Sequence, residues 1–272
     1  MSLFTPSVQR LEITDARSTL LEQRGRRSRE RLAECSHAPG SATLAVALDQ
    51  LQPLMVSLRS SPLSIVVPDR WCKIFLTTPP SNAATVQDLR DAAAARLQLV
   101  YDVEPHQYYI QSDLSATAAF VCCAMERSVV DRLRELGRAS RARVDSIRPQ
   151  YFESLGGWKP AAANANQWLV SCDDTSVTIG MFAQGRSVAI VQTRWGDIDW
   201  SQSGQIVGAA TREALRADVE LPTSITIAGP PVTGLRRLRE GDLDLIPLES
   251  NHRREIGSAM KQAPARSSEG AA

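Results

Sequence analysis

The 272-residue sequence has no apolar run approaching the ~20 residues that span a bilayer, so no membrane helix is expected. It has almost no charge excess. Thirty-one Lys and Arg against 30 Asp and Glu leave +1, which disfavours a general nucleic-acid binder, because that affinity comes from neutralising phosphates. Cysteine is sparse and forms no pairing pattern. The five (Cys35, Cys72, Cys122, Cys123, Cys172) are odd in number, make no CxxC and sit mostly in apolar runs such as AAFVCCAM, where a thiol acts as a small hydrophobe. Neither a disulfide framework nor a zinc site is expected. The start MSLFTPSVQRLE lacks an apolar segment behind a basic one, and the expectation is a cytosolic, reducing environment. Catalytic signatures are also missing. Neither G-x-S-x-G nor H-E-x-x-H occurs, and His37, His106 and His252 stand alone, so no catalytic residue and no metal are expected.

What is present is an ordinary globular composition, 43% hydrophobic and 22% charged, with length enough for one large domain or two lobes. GGWKPAAANANQ (156–167) has linker composition and divides the chain. Beyond it, QWLVSC and SVTIGMFA read as strands, Gln184-Gly185-Arg186 as a turn and SVAIVQTRW as a third strand. A helix follows, with Ile206, Val207, Ala210, Ala214 and Leu215 on one face, then the strand SITIAG, a short helix VTGLRRLRE and the strand LDLIPL. The first stretch starts in the same way. VQRLEIT, STLLEQ and RERLAECS read as strands, Leu44, Leu48, Leu51 and Met55 mark a helix that Pro53 kinks or ends, and LSIVV is a strand. This repeated order implies duplicated α/β lobes across a cleft.

Between the halves, PDRWCKIFLTTPP reads as continued strand, and Val86, Leu89, Ala93 and Leu97 as the buried stripe of a helix. Strands HQYYIQ and ATAAFVCCAM follow, then a helix with Ser128 as N-cap and Gly137 as its C′ stop, the strand ARVDSI, and a helix opened by Pro149. The β-α-β-β-α-β rhythm is that of a ferredoxin-like insertion.

The stretch from ATAAFVCCAM to RPQYFESL and the hairpin WLVSCDDTSVTIGMFAQGRSVAIVQTRWG together resemble the branch of the actin-like ATPase superfamily formed by PilM and the cytoplasmic domain of GspL. The resemblance runs over roughly residues 8–248. It implies an α/β (α+β) actin-like two-lobed fold of duplicated RNase H-like units with a ferredoxin-like insertion and a reduced second lobe. Residues 1–60 and 139–166 would form the first lobe, 61–138 the insertion, 167–248 the shortened second lobe and 249–272 a flexible tail.

The family's nucleotide site rests on glycine-bearing corners, because backbone N–H groups must reach the phosphates with no Cβ in the way, and on acidic residues that organise magnesium. Here the matching positions are vestigial. In ITDARS, Ala16 or Arg17 replaces glycine beside Thr14 or Asp15; in SCDDTS, Ser171 takes the acidic position and Asp173 the glycine, with Thr175 two residues on. In IAGPPVTG, Gly229 remains but Pro230 removes an N–H. A carboxylate aimed at a triphosphate repels it by ~1 kcal/mol or more at about 4 Å. No cofactor is therefore expected, the alternative being an ATP- and magnesium-binding ATPase or kinase-like enzyme.

The resemblance further implies a cytoplasmic assembly or scaffold protein, peripheral to the bacterial inner membrane, in a type IV pilus or type II secretion-like platform. Its partner would be a PilN- or GspL-like single-pass membrane protein, held by its N-terminal peptide, with the assembly ATPase nearby and no nucleic acid. Trp195 and Trp200 are candidate peptide anchors. The plainer readings are Asp173-Asp174 as an Asx-type turn, RGRRSRER (24–31) as a solvated hairpin tip, and Tyr108-Tyr109 as core packing rather than base stacking.

Overall fold

Apolar residues at alternate positions give this chain strands, and Gly, Pro and Asp punctuate them. In chain order the strands are β1 (Val8–Ile13), β2 (Arg17–Arg24), β3 (Ser28–Ser36), β4 (Pro62–Val67), β5 (Cys72–Thr77), β6 (Tyr108–Ser112), β7 (Phe120–Glu126), β8 (Arg143–Pro149), β9 (Gln167–Cys172), β10 (Ser176–Ala183), β11 (Arg186–Arg194), β12 (Ser224–Ala228) and β13 (Asp244–Pro247). The helices that lie wholly among the described residues are α1 (Val86–Tyr101), α2 (Arg127–Ala139) and α3 (Gln150–Gly157), and residues 208, 211–212 and 214–216 are also helical. The computed structural model describes residues 8–14, 17–24, 28–36, 62–158, 166–172, 176–194, 208, 211–212, 214–216, 219–220, 222, 224–228 and 244–247. The expected helix with Leu44, Leu48, Leu51 and Met55, the tip of the arginine-rich turn, the segment VTGLRRLRE and the tail lie outside these residues.

Two five-stranded sheets repeat one topology. The first runs β3-β2-β1-β4-β8 and the second β11-β10-β9-β12-β13. In each, three strands form antiparallel hairpins, and the first of them then pairs in parallel with a fourth, which pairs in parallel with a fifth. Identical order and polarity in two separate sheets make the duplication a structural fact. Gln184 (φ 51°) and Gly185 (φ 73°) form the two-residue turn between β10 and β11, where two successive positive φ values match the twist of the hairpin.

The inserted unit differs from the expected one. β5, β6 and β7 form their own sheet in the order β5-β7-β6, antiparallel throughout. This is the order of a ferredoxin-like sheet without its fourth strand, because β8 pairs with β4 in the first sheet instead. α1 packs Leu89, Ala93 and Leu97 on Phe75, Tyr108, Phe120 and Cys122. α2 packs Val130, Leu133 and Leu136 on the opposite face, with Ile74, Met125 and the first-sheet residues Leu63 and Ile65. The insert sheet is thus built from the strand-helix-strand-strand unit 72–126, with β4 and β8 on either side of it in the first sheet and α2 packed between β8 and the insert strands β6 and β7.

Five local expectations change. Asp69–Trp71 is a 3-10 turn between β4 and β5 rather than continued strand, closed by Trp71 N–H on the Pro68 carbonyl at 3.1 Å. Val86 is 54% exposed, since it lies in the first turn beyond the sheet. In the second lobe Ala214 is buried, whereas Leu215 points to solvent. Gly137 is not the helix stop. It lies within α2, buried, where a Cβ would sit 2.4 Å from Val144 Cγ2. Arg141 (φ 56°) takes the left-handed position instead, with Ala142 N–H on the Gly137 carbonyl (2.9 Å) and Arg141 N–H on the Arg138 carbonyl (3.0 Å), the paired bonds of a Schellman cap. The N-cap of α2 is Glu126, with the Ser128 hydroxyl donating to its carboxylate at 3.3 Å.

Candidate functional site

The β1–β2 and β9–β10 corners occupy equivalent places in the two sheets. At the first, Ile13 pairs with Ser18, so Thr14 and Arg17 flank a two-residue corner. Thr14 N–H donates to the Arg17 carbonyl at 2.8 Å, the Thr14 hydroxyl donates to the same carbonyl at 3.0 Å, and Thr14 Oγ1 accepts from Arg17 N–H at 3.1 Å. An N–H already held by a threonine is not offered to a phosphate.

At the second corner, Cys172 pairs with Val177 and Ser171 with Thr178. Trp168, Val170 and Cys172 enter the outer core of the second lobe, while Leu169 enters the core that contains Tyr151. Alternation thus turns Ser171 toward α3. Ser171 is buried and neutral, and its hydroxyl and that of Thr178 make no hydrogen bond among the described residues. A buried serine cannot supply the charge that orders magnesium and its waters.

Between the corners lies a junction that joins the lobes. α3 starts after Pro149 without a side-chain cap of its own, leaving early N–H groups of the helix unpaired. Asp69, buried and 82 residues earlier, accepts the Tyr151 N–H at 2.8 Å, capping the helix from another element and placing a carboxylate at its positive end. Gln192 of β11 donates from Nε2 to the Asp69 carbonyl at 2.6 Å, and Gln150 donates from Nε2 to the Cys172 carbonyl at 3.2 Å. Trp158 Nε1 donates to Thr226 Oγ1 at 3.1 Å. Arg10 on β1 bonds Glu12 and Glu153 of α3. The Tyr151 ring is fully buried against Gly180, its hydroxyl without a hydrogen-bond partner among the described residues. Burial, then the Asp69 charge, pushes its phenol well above the ordinary value, so it is neutral and no proton donor near neutral pH. Burial, with Cys123 and Asp69 close by, likewise pushes the Cys72 thiol up, which removes it as a nucleophile.

Of the residues singled out from the sequence, Thr14 and Ser171 are brought to equivalent ends of the two sheets. Asp15, Ala16, Asp173, Thr175, Gly229, Trp195 and Trp200 lie outside the described residues. Tyr108 is core, and Tyr109 lies beneath the Arg127 and Arg134 guanidinium groups, 4.2 and 4.9 Å from its ring centre. Sequence reasoning missed Asp69, Tyr151 and Gly180. The available signal was Gly180 itself, a glycine inside a strand of large residues, which marks a close approach.

No family model and no curated protein sequence matches this chain. Solved structures do. A structure of the PilM–PilN type IV pilus biogenesis complex matches with TM-score 0.68 and 12% identity, over 92% of this chain and 94% of that one. A Bacteroides thetaiotaomicron protein of actin-like ATPase fold and unknown function matches with TM-score 0.61 and 10% identity, over 97% and 100%. The cytoplasmic domain of EpsL, an inner-membrane component of the Vibrio cholerae type II secretion system, matches with TM-score 0.59 and 10% identity, over 95% and 96%. Twin sheets of one topology, joined through α3 and carrying an inserted unit, together with these likenesses over nearly the whole chain, establish that this protein has the actin-like ATPase fold.

Proposed function

We propose that this chain is a non-catalytic cytoplasmic assembly protein of a type IV pilus or type II secretion-like platform at the bacterial inner membrane. It binds the cytoplasmic N-terminal tail of a single-pass membrane partner of the PilN or GspL kind and sits beside the assembly ATPase. Its membrane association is indirect, through that partner; no helix among the described residues is long and apolar enough to cross a bilayer. The observation that carries the reading is the state of the two corners: Thr14 holds the Arg17 N–H, and Ser171 stands neutral and buried where the fold's enzymes need a charge. The likeness to PilM in complex with PilN and to the EpsL cytoplasmic domain supplies the setting. A folded frame that has lost its grip on phosphate is left with its surfaces, and peptide capture in a concave surface needs only those.

The test uses the full chain and synthetic peptides of the cytoplasmic N-termini of single-pass membrane proteins encoded beside its gene. Saturable micromolar binding of one peptide, unchanged by ATP and magnesium, is the expected result. Binding of none, together with ATP turnover by the purified chain, would replace this reading with an enzyme.

A further inference from the structure

α1 is apolar on two sides. Leu89, Ala93 and Leu97 face the insert sheet, but Ala92, Ala95, Leu99 and Val100 form a second stripe at spacings of three, four and seven, and Leu99 is 77% exposed. A helix that is apolar beyond its core face has a second surface to cover. Across from it stands β11. The register shift between Met181 and Phe182 makes Val188 an extra residue in the strand and leaves Val188 to Val191 lining the opposite wall. Together with Ile74 to Thr77 of β5 and the following Thr78 they line a groove of about 750 Å³.

We propose that this groove is a docking site for a short amphipathic helix that carries carboxylates beside an apolar stripe, a site separate from the two corners and independent of the function proposed above. Three observations select that occupant. First, insertion of a strand between the two walls is excluded. Cα atoms of β5 and β11 approach within 8 Å, whereas a strand inserted between them needs two ladder spacings, roughly 9.5 Å. Second, the groove's charged lining residues are Arg96 and Arg216, with no carboxylate among the described residues there. Arg96 is exposed, lines the groove and makes no ion pair among the described residues, so its charge faces the groove unneutralised. An acidic partner gains attraction here and a basic one is repelled, which sets selectivity more than raw affinity. Third, the stripe from Ala92 to Val100 spans about 12 Å, the length of two helical turns, enough to seat two or three large apolar side chains.

The test measures fluorescence anisotropy of two designed 14-residue helical peptides against the full chain at physiological salt. They share one leucine stripe and differ in flanking it with Glu or with Lys. Leu99→Ser and Arg96→Glu change exposed or rim positions, and their melting curves establish that each variant is folded. The proposal requires saturable binding of the Glu peptide, at least tenfold weaker in Leu99→Ser and in Arg96→Glu, with the Lys peptide gaining affinity for Arg96→Glu. Equal binding of both peptides, no binding, or a Glu-peptide affinity indifferent to either variant would overturn it. So would a dimer of the wild-type chain that Leu99→Ser returns to monomer, because the groove would then be covered by a second copy.

Discussion

The Tyr151 phenol is seated directly over Gly180, so that a Cβ built on the glycine would stand 1.9 Å from Oη and 2.9 Å from Cζ. No rotation relieves that contact, because Tyr151 is fully buried among Leu11, Ile65, Leu169 and Phe182. Gly180→Ala is expected to destabilise the protein by about 3 kcal/mol, the upper range for overpacking. Tyr151→Phe removes an unpartnered buried hydroxyl and is expected to stabilise by about 1 kcal/mol, and to recover part of the loss when combined with Gly180→Ala. Urea denaturation of the two single variants and the double variant checks all three values.

Asp69 caps α3 from outside the helix, and its two obvious replacements separate hydrogen bonding from charge. Asp69→Asn keeps an acceptor for the Tyr151 N–H and loses only the carboxylate at the helix start, a cost of about 1 kcal/mol. Asp69→Ala leaves that N–H buried and unpaired, at about 1–3 kcal/mol more. Hydrogen exchange at the Tyr151 amide should quicken strongly in Asp69→Ala and little in Asp69→Asn.

At the end of α2 the sequence places its glycine where packing needs it and an arginine where the backbone turns left-handed. Arg141→Gly is expected to raise stability by about 1 kcal/mol, since a side chain at positive φ costs roughly that much. Gly137→Ala is expected to lower it, and Val144→Ala in the same chain to restore part of the loss, because the clash is with Val144 Cγ2. Melting temperatures of the three variants decide the matter.

Alkaline pH should weaken the insert's core. Burial pushes the Cys122 thiol up from 9.0 to about 11 and the Tyr101 phenol from 10.0 to about 12. As pH rises past 9 the unfolded chain releases these protons before the folded one does. The folded state then binds more protons, and stability falls with pH. The contribution is complete below pH 9 and is lost between about 9 and 12. Urea midpoints should therefore decline over that range, less steeply in Cys122→Ala; a rising midpoint would refute the assignment.

Much of the frame was legible because it rests on local signals. Alternation in VQRLEI and SVTIGMFA, the Gln184-Gly185 turn and the stripe Leu89, Ala93, Leu97 each show within ten residues. The repeat of strand order carried the two-lobed fold. What failed was non-local. Nothing near Asp69 in sequence tells that it caps a helix 82 residues on. Gly137 looked like a stop because a glycine near a helix end usually is one, while Val144, which forbids a side chain there, reaches it only through packing. At the candidate site the sequence gives the residue types, but the capture of Arg17 N–H by Thr14 and the burial of Ser171 emerge only once the strands are in register.

The central claim is that this actin-like frame no longer grips nucleotide. Isothermal titration of the full chain with ATP and excess magnesium tests it most directly. The account predicts no saturable heat up to millimolar ATP. Micromolar binding that Asp173→Ala abolishes would contradict it, showing a working phosphate site at the corner between β9 and β10.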